Sequence, residues 1–352
     1  RDQKGKVRVG LADQERDLGA AEDHSLGAAS GQGLDDLQDV VLVLRSPDDD
    51  YQRMKPGTIL ISMLHYPTHP TRVPLFLELG LKTISLDSIV NDNDVRLVEN
   101  MKSVAWNGLE VAFGLLEDIW PGLVRPDGEP IQALLLGTGM VGKHAVDAAV
   151  HLGIIERNNK HIENNGPGAI CLAVGRNLTK QADPMQALLR KTDILVDATQ
   201  RRNPAEPVIP NSWIKFLPEH AVLVDLSVDP YIPNADPPVV RGIEGIPKGN
   251  LDKYVFHPSD SVWEETIAPG VPTEHRRTAV TCYSWPGFHP EACMIHYGQQ
   301  LHPMMPILFE NGYDGLSLDG GYFERALYRA TLKAWEDEVA RQTVWNSDQS
   351  YV

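Results

Sequence analysis

The sequence predicts an α/β fold made of two Rossmann-like, doubly wound domains with a cleft between them. Two observations carry that expectation. Short apolar runs alternate with helical patterns along most of the 352 residues, as parallel β-α-β units require. One such run, Leu134-Leu135-Leu136, ends in Gly137-Thr138-Gly139-Met140-Val141-Gly142, and the helical stripe Ala145, Val146, Ala148, Ala149 follows it. A Gly-x-Gly-x-x-Gly placed between a strand and a helix suits a dinucleotide pyrophosphate. Gly137 permits the tight turn, Gly139 lets the backbone approach the phosphates, and Gly142 lets the helix pack close to the strand. Free N–H groups and the positive dipole end of the helix then meet the anion. A structural glycine turn can carry the same letters, so the strand-then-helix context gives the motif its specificity.

The remaining elements follow in order. Residues 1–35 are polar and rich in Gly, Asp and Glu, with one short strand expected at Val7–Leu11. Asp39–Leu44 reads as a buried strand, closed by the turn Arg45-Ser46-Pro47, and Thr58–Met63 reads as a second, ending at Leu64-His65. Pro70–Leu79 is expected to be helical and Thr83–Leu86 a third strand. Lys102–Ile119 carries a broad apolar stripe (Val104, Ala105, Leu109, Ala112, Phe113, Leu115, Leu116) and stops at Pro121-Gly122. The turn Arg125-Pro126-Asp127-Gly128 suggests a first domain over residues 1–125, with the crossing in the helix before it. Strands are then expected at Ala133–Leu136, Ala169–Val174, Asp193–Asp197 and Ala221–Asp225, with an inserted loop at Asn158–Gly168. Residues 230–275, crowded with Pro and Gly, read as irregular. The dinucleotide domain is placed at 126–290. A return segment at 291–352, helical over Tyr322–Ala340, is expected to pack back on the first domain.

Composition narrows the partners. A net charge of −16 argues against nucleic acid or an anionic membrane, which reward clustered Lys and Arg. No apolar run approaches the roughly 20 residues of a membrane span. The three cysteines, Cys171, Cys282 and Cys293, are not spaced as a metal knuckle, and no targeting segment is visible. Free thiols in a reducing cytoplasm are therefore the expectation. His289, His296 and His302 lie near Glu291, but no His-Glu-x-x-His or cysteine pair accompanies them, so no metal is expected.

Candidate chemistry falls at strand ends, where parallel sheets place their ligands. Arg176 follows the strand Ala169–Val174, where an acidic residue would accept from the ribose hydroxyls of NAD; an Arg there favours the 2′-phosphate of NADP. Gly137, Thr138, Gly139, Met140, Val141, Gly142, Arg176 and Ala198 form the candidate cofactor-binding set, for NAD or NADP with a lean to NADP. Arg45 can clamp a carboxylate and His65 can exchange a proton near neutral pH. A turn-capping Arg and a backbone-satisfied His fit the same two positions. Asp229, just past the strand ending at Asp225, could hold an ammonium or imine group. Trp285, in a Pro-Gly turn, is expected to line the same cleft.

Arg45-Ser46-Pro47, Leu64-His65, Met101-Lys102-Ser103-Val104-Ala105-Trp106, the glycine loop, and Val224 to Asp229 occur in that order. In this the chain resembles the alanine dehydrogenase and pyridine-nucleotide transhydrogenase (soluble domain) family, from about Asp39 through Gly153 and again from Asp193 to about Met305. The corresponding family signatures are Lys-x-Pro, Leu-His, Met-Ser-x-Val-Ala-Gly and Val-Asp-x-x-x-Asp. The resemblance implies that His65 is the catalytic histidine, that Asp229 is the catalytic-site aspartate near the nicotinamide, and that Arg45 replaces a substrate-binding lysine. It also implies a homo-oligomer built through the cofactor domains. Val7-Arg8-Val9-Gly10-Leu11 is a poor match to the family's Arg-Val-Ala-x-Thr-Pro. Together with the Lys-to-Arg change, and with Trp285 where alanine dehydrogenases have a smaller polar context, this turns the expectation from alanine toward a larger or differently charged amino acid or 2-oxo acid. The resulting expectation is an NAD(P)-dependent amino-acid dehydrogenase. The alternatives are an opine- or saccharopine-dehydrogenase-like enzyme that reduces a secondary imine, and a non-catalytic cofactor sensor.

Overall fold

The computed structural model describes residues 8–9, 40–48, 50–67, 69, 71–201, 203–229, 231–232 and 238–339. The expected polar stretch 1–35 lies outside them except for Arg8 and Val9, as do the termini Asp39, Pro70 and Ala340 of other expected elements. Two compact units divide the chain: residues 1–99 with 295–352, and residues 100–294.

In the first unit, β1 (Arg8–Val9), β2 (Val40–Arg45), β3 (Ile59–Met63) and β4 (Lys82–Ser85) form a parallel sheet in sequential order. Their apolar and β-branched residues bury Val41, Leu60 and Leu64 with Tyr51, Phe76 and Leu81. The helix Arg72–Glu78 crosses from β3 to β4. The return segment closes this unit: Ala330 accepts from the Ser85 N–H (2.8 Å), Thr331 bridges Ile84, and Leu332 joins the core. Trp335 lies 5.8 Å from Tyr66, ring centre to ring centre. The expected helix Tyr322–Ala340 is thus broken at 330–331, with helical turns Tyr322–Arg329 and 332–339 on either side.

The second unit holds β5 (Ile131–Leu136), β6 (Ala169–Val174), β7 (Ile194–Asp197), β8 (Val222–Asp225), β9 (Val255–Phe256) and β10 (Thr278–Thr281) in the order β6-β5-β7-β8-β10-β9. All pairings are parallel except that of β9 with β10. Strand alternation sends Ala133, Leu135, Val196 and Val224 to one face, against Ala105, Leu109, Ala112, Phe113, Ala145 and Ala148. Leu134, Leu136, Leu195 and Leu223 face the other way, against Met185, Leu189, Ile214 and Trp263. Both faces are covered along the central strands β5, β7 and β8, as a doubly wound sheet demands, while the edge strand β6 leaves Ile170 and Leu172 exposed.

Three expectations need correction. The helix Met101–Ile119, capped by Asn100 accepting from the Ser103 N–H, belongs to the second unit and not to a first domain ending at 125. Its stripe packs on the sheet face just described, and Gly108 brings its backbone against β8: a methyl there would come within 3.3 Å of Val224 Cγ1. The expected loop Asn158–Gly168 is largely helix, Ile155–Glu163. Within it His161 is buried, its Nδ1 2.9 Å from the Gly122 carbonyl and its Nε2 accepting from the Gly168 N–H. Past the irregular stretch, Thr278–Thr281 is a buried strand beside β8 that the sequence reading left out.

Candidate functional site

β5 has β6 on one side and β7 on the other, so the winding reverses at its carboxyl end. Ligands of open α/β sheets sit at that reversal, and the glycine loop occupies it. Each glycine has a distinct physical reason. Gly137 has φ +91°, and a Cβ there would lie 2.7 Å from the Ala198 carbonyl oxygen. At Gly142, the third residue of the helix Met140–Val150, a Cβ would overlap the Gly137 carbonyl oxygen. Gly139 differs: its φ of −70° is ordinary, and a Cβ would meet no atom within 4 Å. Nothing inside the protein demands glycine there, so the open approach suits a group from outside. Thr138 and Met140 are exposed beside it, and Val141 is half-buried. A following helix with unbonded first-turn amides completes a cradle that fits a pyrophosphate.

The neighbouring strand ends complete this rim. The Gly137 N–H donates to the Val174 carbonyl (3.2 Å), which sets exposed Arg176 beside the loop; Arg176 Nη2 donates to the Gln200 carbonyl at 2.8 Å. The Ala198 N–H donates to the Leu136 carbonyl, placing Ala198 against Gly137.

Beneath Ala198 lies Asp197, fully buried at the end of β7. Its Oδ1 accepts from the Thr199 N–H (2.9 Å) and hydroxyl (2.7 Å), and its Oδ2 from the Ser227 hydroxyl (3.2 Å). Asp225 ends β8 alongside, paired with buried Arg241 at 2.6 Å and accepting from the Ser227 and Val228 N–H groups. Burial, reinforced by the Asp225 and Asp229 charges, raises the Asp197 carboxyl to about 7. The folded chain therefore keeps a proton that the unfolded chain has released above roughly pH 4. The sign follows: stability is fullest below about pH 4, falls as pH rises toward 7, and is level beyond it. Asp197→Asn retains the acceptor for Thr199 and cannot ionise. Its urea midpoint is expected to lose that fall. An unchanged profile between pH 4 and 7 would show that Asp197 is not the buried proton carrier.

Asp229 is not a lone carboxylate. Arg201, which the sequence reading missed, donates to it from Nε (3.3 Å) and Nη2 (2.7 Å), and from Nη1 to the Pro204 and Glu206 carbonyls. Burial raises the Asp229 carboxyl, and Arg201 opposes the rise. Val228 beside it has φ +50°, a conformation costly for a β-branched residue and held by its N–H bond to Asp225.

In the first unit, Arg45 closes β2, exposed and level with Met63 of β3, and His65 lies two residues past β3. The end of β4 supplies a residue absent from the sequence reading, Asp87. Its Oδ1 accepts from the His65 N–H (3.1 Å) and the Ser85 hydroxyl (2.6 Å), and its Oδ2 lies 3.3 Å from His65 Nδ1. Burial would raise the Asp87 carboxyl, but the hydrogen bonds and charge of His65, with the Ser85 hydroxyl, hold it at about 2. The Asp87 side chain is 5% exposed and that of His65 44%, so a fixed base orients a ring open to solvent. His65 itself has φ +51°, strain of the kind that gathers at functional positions.

Trp285 does not line a cleft. It is 1% exposed within the second unit's core, its indole N–H donates to the Asp225 carbonyl (3.1 Å), and its carbonyl accepts from Asn107 Nδ2 (2.7 Å). The Trp-Pro-Gly turn folds the ring inward, where its area stabilises the core and its N–H finds a partner. The nearby histidines serve local contacts: His289 Nε2 lies 2.8 Å from Glu110, and His296 Nε2 lies 2.7 Å from the Glu99 carbonyl. Among the described residues, no group of three or more His, Cys, Asp or Glu is arranged to hold a metal ion.

These features define a class: an α/β chain of two units with parallel sheets, the second doubly wound around a glycine loop. Among solved structures, the fold is similar to that of an L-alanine dehydrogenase, at 18% identity and TM-score 0.58, covering 87% of this chain and 80% of that one. It is also similar to a transhydrogenase from Sinorhizobium meliloti, at 15% identity and TM-score 0.50, over 82% of this chain and 78% of that one. The likeness in fold agrees with the resemblance carried by the motif order. No known family model and no curated protein sequence matches the chain.

Proposed function

We propose that the chain is an NAD(P)-dependent oxidoreductase acting on the C–N group of an amino acid or its imine. The observation that carries this is the glycine loop at the reversal of the β5 winding, with the open approach at Gly139. Fold neighbours named as L-alanine dehydrogenase and transhydrogenase support the same class. Backbone N–H groups from Thr138 to Gly142 would hold the pyrophosphate, and the bound nicotinamide would accept or donate the hydride.

The chain's own residues supply the rest. The Asp87 carboxylate draws the proton of His65 to Nδ1 and leaves Nε2 to exchange a proton with the substrate. Arg45 would bind the substrate carboxylate through its guanidinium fork. Asp229 would hold the substrate nitrogen, with Arg201 fixing the carboxylate in place.

A screen of NADH and NADPH oxidation against 2-oxo acids, with ammonia or amino acids as nitrogen donors, tests the reading. Turnover that needs ammonia is the expected result. Turnover that needs a second amino acid would move the assignment to reduction of a secondary imine. Tight dinucleotide binding without turnover on any donor would sink the enzymatic reading in favour of a sensor.

A further inference from the structure

The carboxyl end of β6 bears on which dinucleotide the second unit takes. β6 follows β5 in the chain and pairs with it in the sheet, Leu136 opposite Val174, so Gly175-Arg176 stands beside Gly137-Thr138. In a dinucleotide fold this is where the adenosine ribose is read: a carboxylate accepts from its 2′-hydroxyl, whereas an arginine suits a 2′-phosphate. The helix Ile155–Glu163 lengthens the crossing between the strands but does not move Arg176 from that position. From Val174 to Gln181 there is no acidic residue and there are two cations, Arg176 and Lys180, in a chain of net charge −16.

The arginines at this end of the sheet differ in one respect. Arg201 is neutralised by Asp229 and Arg241 by Asp225. Arg176 is exposed, and its hydrogen bond goes to the neutral Gln200 carbonyl; among the described residues no carboxylate lies within ion-pairing distance of it. That contact uses one of five guanidinium N–H groups and anchors the side chain toward the loop after β7. An anchored, uncompensated fork is suited to a dianionic phosphate.

We propose that Arg176 binds the 2′-phosphate of the cofactor, so that the second unit selects NADPH over NADH. The proposal rests on the dinucleotide reading of the glycine loop given above. Fluorescence titration of the full chain with NADPH and with NADH tests it without any substrate. NADPH is expected to bind roughly 10- to 100-fold more tightly, the range of one or two charged hydrogen bonds. Arg176→Ala is expected to lose most of that margin through NADPH alone, leaving NADH affinity within about threefold and the melting temperature unchanged. Arg176→Asp is expected to reverse the preference. Competition should agree, with 2′,5′-ADP displacing NADPH better than 5′-AMP does from the wild type and not from Arg176→Ala. Equal or tighter NADH binding by the wild type, or an equal loss of both cofactors in Arg176→Ala, would overturn the proposal while leaving the glycine-loop reading intact. Failure of both cofactors to bind the wild type would overturn the glycine-loop reading and this proposal together.

Discussion

Gly142→Ala and Gly139→Ala are expected to fail in opposite ways, although both add one methyl group to the same loop. At Gly142 the methyl overlaps the Gly137 carbonyl oxygen, a backbone atom that cannot move aside without reshaping the turn. The loss should be about 1–3 kcal/mol, seen as a lower urea midpoint for the second unit. The Gly137 turn has little slack to relieve it: its own φ of +91° and the Ala198 carbonyl 2.7 Å from any Cβ fix it in place. At Gly139 the methyl meets no protein atom and the backbone is already in a region open to alanine. Stability should fall by no more than about 1 kcal/mol, the cost of alanine at a helix N-cap. Dinucleotide affinity should instead fall about tenfold or more, because the methyl fills the space through which a phosphate reaches the amides. The pair separates folding from binding. If Gly139→Ala binds NADH and NADPH like the wild type, the open side of the loop is not where the pyrophosphate lies.

What the sequence made legible, and what it hid, follows from how far apart the interacting residues are. The glycine loop and most strands were readable because their signals are local: apolar runs of strand length, bounded by turn residues. Thr278-Ala279-Val280-Thr281 escaped because it is short and half polar, and its burial comes from β8 and β9 on either side. The periodicity of Met101–Ile119 marks a helix but not the unit it belongs to. Periodicity shows that a stripe is buried without saying against what, and here the answer lies in Ala133, Ala145 and Val224. Asp87 and Arg201 were missed for a related reason. Asp87 reaches His65 through the pairing of β3 with β4, and Arg201 reaches Asp229 from the loop after the neighbouring strand; neither spacing is a motif. Trp285 was misjudged in the other direction. A Pro-Gly turn signals a surface bend, yet the ring on such a bend can point inward, as this one does.

His65→Ala is expected to reduce kcat/KM by roughly 10²- to 10⁴-fold while leaving dinucleotide affinity unchanged, since it removes the proton-exchanging group but nothing from the glycine loop. Asp87→Asn is the sharper probe: its amide oxygen can still serve the Ser85 hydroxyl and the His65 N–H, while its NH2 group replaces Oδ2 opposite His65 Nδ1 and removes both the charge and that acceptor. With the carboxyl held at about 2, Asp87 is ionised throughout the working range and orients the His65 ring through Nδ1. Removing that carboxylate should cut kcat/KM by about tenfold or more while leaving dinucleotide affinity unchanged. Stability provides a second readout with its own sign. A carboxylate depressed in the folded state contributes stability that is present above roughly pH 4 and lost as pH falls toward 2, so Asp87→Asn should flatten the wild type's loss in that window. A purely structural aspartate would change the acid stability but not kcat/KM. Should kcat/KM stay at the wild-type value in Asp87→Asn, Asp87 is a brace for the β4 turn and not the group that orients His65. Should His65→Ala turn over substrate as the wild type does, the acid–base assignment itself is wrong.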